Sequence, residues 1–118
     1  MKWLLFAATV LLAACAGDTP PVKAVVGVTL LNPGHAPVDY AVILVRGTRI
    51  DKVGTMTTVP IPAGSEKLAG YGKFVTPVKP GEAIAAGAAA SFQIFGQDPR
   101  SDPAARPERV LTAGEWAE

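Results

Sequence analysis

Apolar positions fall into two patterns along this chain. The first is a dense block. Trp3 to Leu12 is apolar except for Thr9, and it follows the single positive charge of Lys2. Ten residues wound as a helix would span ~15 Å, about half of a ~30 Å hydrocarbon core. The block therefore predicts the helical apolar region of a signal peptide rather than a membrane span. The second pattern starts at Val22: short β-branched and aliphatic runs cut by Gly and Pro. Such runs predict strands at 22–31, 40–45, 50–53, 65–68, 73–76, 91–95 and 109–113, with 57–61 as a short edge strand because Pro60 and Pro62 exclude a central one.

The turns are equally legible. Asn32-Pro33-Gly34 suits a type II turn, since proline presets φ and glycine accepts a positive one. Gly47-Thr48 fits a two-residue hairpin loop with glycine first. Tyr40 to Val45 is apolar almost throughout, which predicts burial on both faces. About seven short strands separated by turn signals predict an all-β fold, a small sandwich or barrel. The expected core is Val26, Val28, Leu30, Val42, Leu44, Ile50, Val53, Phe74, Phe92, Ile94, Val110 and Leu111. The stretch from Gly81 to Ser91 is built of small residues; despite its local helix propensity, Gly87 favours a loop.

Leu12-Ala13-Ala14-Cys15 resembles the lipobox of bacterial lipoproteins. The resemblance implies diacylation of Cys15 and cleavage after Ala14, anchoring the chain through lipid. It divides the chain into a signal peptide at 1–14, a tether at 15–21 and a domain at 22–118. Ala16, not an aspartate, directly follows Cys15, so the expected location is the cell envelope, on the outer membrane where the host has two.

Composition narrows the function. Eleven Lys+Arg face ten Asp+Glu. Losing Lys2 with the signal leaves ten against ten, a balance that carries no electrostatic footprint for nucleic acid. The lone cysteine excludes an internal disulfide and a multi-cysteine zinc site.

From Tyr40 the order of motifs resembles the composite β-domain of the amidohydrolase superfamily. Tyr40 to Gly54 is similar to the family's opening hairpin, ending in Arg-Ile-x-x-Val-Gly. Pro60 to Ser65 is similar to its Pro-x-Gly segment, and Gly72-Lys-Phe-Val-Thr-Pro77 to the strand that leads into the barrel. In the family, His-x-His metal ligands follow that strand. Here Val78-Lys79-Pro80-Gly81 follows, and the motifs then resume as in the family's C-terminal part: Glu82 to Gly87, Ala89 to Pro99 with Ser91 in place of the usual aspartate, and Arg109 to Gly114. The resemblance implies a β-domain from which the catalytic barrel is missing.

Candidate chemistry is correspondingly thin. His35, the only histidine, lies in a turn and has no partner histidine. Asp98 and Asp102 precede prolines and read as turn caps; a calcium loop needs more oxygen ligands. Ser65, Ser91 and Ser101, with one histidine, form no Ser/His/Asp pattern, and Asp39, Asp51 and Glu66 are scattered. No catalytic residue, metal ligand or cofactor is expected. The expected sites are lipidation at Cys15 and a partner contact at Ala83, Ala85, Ala86, Ala88 and Ala89, next to the missing barrel. The function these features imply is a non-catalytic envelope interaction module that self-associates or docks onto a hydrolase-like protein. The alternative is a fragment or split subunit of a metal-dependent amidohydrolase.

Overall fold

The computed structural model describes residues 21–79 and 81–117. The signal segment and Cys15 lie outside the described residues. The architecture is all-β. Its strands are β1 (Val22–Leu30), β2 (Val38–Arg46), β3 (Arg49–Thr55), β4 (Glu66–Ala69), β5 (Phe74–Pro77), β6 (Phe92–Phe95), β7 (Arg109–Thr112) and β8 (Glu115–Trp116). They form one sheet in the order β3-β2-β1-β5-β6-β7-β8, with β4 also paired to β1.

The β2–β3 hairpin turns at Gly47 and Thr48, as its sequence predicts, with Arg46 opposite Arg49. β1 pairs antiparallel with β2 and parallel with two other strands in succession. Lys23–Val26 lies beside β4, while Thr29 and Leu30 lie beside β5. The change of partner occurs at a bulge: the β1–β2 register shifts between Val26 and Val28, and Gly27 has φ +85°. An extra residue inverts the side-chain alternation that follows it. Val25 therefore shares a core with Val28 and Leu30, while Val22, Ala24 and Val26 face the other side.

Both faces of β2 are buried, from Ala41 to Val45. The main core gathers residues of β1, β2, β3, β5, β6 and β7, with Phe92 and Ile43 among its largest fully buried side chains. The smaller core, on the opposite face of β1 and β2, is covered by Val59 and Ile61.

Segment 87–90 joins the two ends of the strand order. Ile50 donates its backbone N–H to Ala88 O and accepts from Gly87 N, both at 2.8 Å. Ala90 N donates to Thr48 O and Ala90 O accepts from Gly114 N, both at 2.9 Å. The layers facing each other across the main core are thus parts of one curled sheet.

Some details differ from the sequence expectation, and β8 is not among the predicted strands. Residues 57–61 are not a strand: Thr58 N and Val59 N both donate to Thr55 O, making a tight turn that drops Val59 into the smaller core. Val75, not Phe74, is the fully buried residue of β5. Val53 and Val110 are only half-buried.

Candidate functional site

Parallel neighbours β1 and β5 end at the same edge of the sheet, with Leu30 beside Val75 and Leu31 N donating to Val75 O at 2.9 Å. Their continuations part there. The chain leaving β1 turns towards β2, on one side of the pair, while the chain leaving β5 turns towards β6, on the other. Oppositely directed exits from adjacent parallel strands leave a crevice beyond the strand ends.

A cavity of about 420 Å³ occupies that place. Leu31, Pro33 and Pro37 line it from the β1 side, Pro77 and Val78 from the β5 side, and His35, Lys79 and Arg100 contribute the ionisable side chains. The Asn32-Pro33-Gly34-His35 turn is the predicted one: His35 N donates to Asn32 O at 3.2 Å and Gly34 has φ +78°.

Asn32 has a second task that its turn reading did not foresee. Its side-chain amide donates to Ile84 O at 3.0 Å and accepts from Ile84 N at 2.7 Å. This two-way clamp fixes the 81–88 loop against the β1 exit and seats Ile84 in the main core. On its far side lies a second cavity of about 390 Å³, bounded by Val38, Val53, Gly54, Ala83 and Ala85. The two cavities share Asn32 and His35 as a wall.

Arg100 reaches the first cavity from the turn that follows Asp98. Its Nη2 donates to Asp98 Oδ2 at 2.7 Å and its Nε to Oδ1 at 3.0 Å, while its backbone N–H caps Oδ1 at 2.9 Å. The guanidinium bonds first, and the backbone bond second, hold the Asp98 carboxyl below its ordinary value. Asp98 thus caps its turn, as its sequence predicts, and also orients a cation at the cavity.

No family model matches the chain, and neither does any curated protein. Among solved structures it is similar to part of molinate hydrolase, with 27% identity and a TM-score of 0.45 over 50% of this chain and 13% of that one. A candidate prolidase from Bifidobacterium longum gives 25% identity and a TM-score of 0.45 over 51% of this chain and 16% of that one. The chain thus spans only a small share of either protein's length.

The residues present do not fit the metal site of an amidohydrolase. His35 is exposed in its turn, and among the described residues no three His, Cys, Asp or Glu side chains converge. Asp39 accepts from the Thr29 hydroxyl at 3.2 Å, Asp51 lies 3.7 Å from Arg46, and Glu66 lies 3.9 Å from Lys23. Ser65 donates to Pro62 O at 2.6 Å, and the Ser91 hydroxyl accepts from Ala113 N at 3.0 Å. Each of these groups serves a local turn or strand contact. Ala83, Ala85, Ala86 and Ala89 are exposed and Ala88 is half-buried against the main core. The alanine stretch is therefore both the strip that joins the sheet ends and an outward surface.

Proposed function

We propose that this chain is an amidohydrolase-type composite β-domain, held on the cell envelope by lipid on Cys15 and acting there as a non-catalytic interaction module. One observation supports the composite reading above the others. The segments before and after the motif break are sewn into one sheet along β5 and β6, with Pro77 opposite Phe92. The chain leaves the sheet at Pro77 and re-enters it directly alongside. A large insertion could occupy that point, or be absent, without disturbing the strands. The anchor rests on the Leu12-Ala13-Ala14-Cys15 motif behind its apolar block. The partner surface rests on the exposed alanines beside the break, either for a second copy or for a hydrolase-like protein.

Changing Cys15→Ala tests the anchor. The variant loses radiolabelled palmitate and moves from the membrane to the soluble fraction, or stays unprocessed. A wild-type chain whose mass shows an unmodified Cys15 refutes it. Light scattering on the purified chain, alone and with any barrel-bearing hydrolase found to be encoded beside it, tests the module. A complex that acquires metal-dependent turnover identifies a split enzyme instead. A monomer that binds neither itself nor the hydrolase removes the interaction reading.

A further inference from the structure

We propose that the crevice between the exits of β1 and β5 is a binding site for a small monocarboxylate with an apolar body. The reading goes beyond a protein-interaction role and does not depend on the anchor.

Position is the first argument. The crevice stands at the one place where the parallel neighbours β1 and β5 send their chains in opposite directions. Residues of the two exits form its opposing walls, so its place is set by the strand topology. Its volume of about 420 Å³ is in the range of pockets that hold small organic ligands.

The lining sets the chemistry. Leu31, Pro33, Pro37, Pro77 and Val78 provide apolar walls, and the prolines are stiff, so little conformational freedom is lost on binding. Among the described residues its ionisable groups are His35, Lys79 and Arg100, and no carboxylate lines the cavity. Arg100 is orientated by Asp98 through Nε and Nη2. Those bonds leave the Nη1 edge to donate, in the planar geometry that suits a carboxylate.

Charge fixes the valence. Asp98 already balances Arg100, and among the described residues Lys79 has no ion-pair partner. One unmatched cation favours a monoanion over phosphate. The apolar walls favour a ligand with a hydrocarbon or aromatic body over acetate.

The test uses 4-fluorophenylacetate as probe and ¹⁹F NMR as readout, on the full chain in zwitterionic nanodiscs against empty nanodiscs. Saturable binding with a Kd on the order of 0.1–1 mM is expected for a ligand of this size. Two comparison probes separate the contributions: 4-fluorobenzyl alcohol should bind at least about tenfold more weakly, and inorganic phosphate should not displace the probe. Lys79→Gln should weaken binding about tenfold, whereas Lys67→Gln, on distant β4, should leave it unchanged. Both lysines are exposed, so neither variant disturbs the core. Absence of saturation, equal binding of the alcohol, displacement by phosphate, or indifference to Lys79→Gln each overturns the proposal. If the chain purifies without lipid, the same titration is run in buffer, so failure of the anchor and failure of the crevice are separate results.

Discussion

Gly114 and Gly64 have nearly the same backbone, φ +85° and φ +82°, in different surroundings. A Cβ at Gly64 would meet nothing within 4 Å, whereas at Gly114 it would collide with the backbone carbonyl of Gly47, which has no side chain to swing aside. Gly64→Ala should therefore cost only the left-handed conformation, about 1 kcal/mol. Gly114→Ala should cost about 3 kcal/mol or more, because the tip of the β2–β3 hairpin must move. Guanidinium denaturation of the two variants measures the difference, and equal midpoints would refute the close approach. A second residue-scale prediction concerns Asp98. Its carboxyl is held below the ordinary value of 3.8, first by the Arg100 side chain and then by the Arg100 backbone N–H. A depressed carboxyl favours the folded turn above the ordinary value, and this preference is lost as pH falls through the depressed one. NMR titration should place the Asp98 midpoint below 3.8. In Arg100→Ala the midpoint should rise only part of the way, since the backbone donor remains. A full return would mean that the side chain acts alone.

Among the elements, the loop holding Ile84 depends on one distant side chain. Asn32→Ala removes both bonds to the Ile84 backbone, with an expected cost of about 1–3 kcal/mol. Hydrogen exchange should then accelerate at Ile84, while the β2–β3 hairpin keeps its protection; uniform acceleration would show that the clamp is not local. Such a clamp is not legible in the sequence, because Asn32 already has a complete explanation as a turn residue. The strands were largely legible, because each apolar run is bounded by glycine or proline. The hairpin at Gly47-Thr48 and two-sided burial of β2 followed from pattern alone. Residues 57–61 misled because their β-branched content matches an edge strand, while the threonine hydroxyls divert the backbone into a turn, with the Thr58 hydroxyl accepting from Thr55 N at 2.9 Å. β8 at the end of the sheet order, and the inward face of the predicted strand β5 within it, were hidden for another reason. β8 has only two residues, too few for any periodicity, and β5 is too short for alternation to say which face is inward. Gly27 did carry a usable signal: a glycine inside an apolar strand marks a bulge, and a bulge here reverses the core assignment of everything after it.

At the scale of the whole molecule, the motif break near Pro77 and the crevice meet at one end of the sheet. Inserting a Gly-Ser segment after Gly81, where the chain is exposed, should barely alter the melting temperature. Doubling a flexible loop costs only about 0.6 kcal/mol. The same insertion between Gly47 and Thr48, at the tip that segment 87–90 and Gly114 grip, should cost several times as much; equal losses would refute the insertion-point reading. The direction of β1 has a further consequence. On the proposed anchor the tether reaches the sheet at Val22, the first residue of a nine-residue strand whose far end opens on the crevice. At ~3.3 Å per residue that strand is a stalk of about 30 Å. Were the strand to stand upright on that tether, the mouth of the crevice would lie several Debye lengths, each ~8 Å at physiological ionic strength, above the lipid headgroups. A carboxylate approaching it would be drawn by the local field of Lys79 without first overcoming the repulsion of an anionic bilayer.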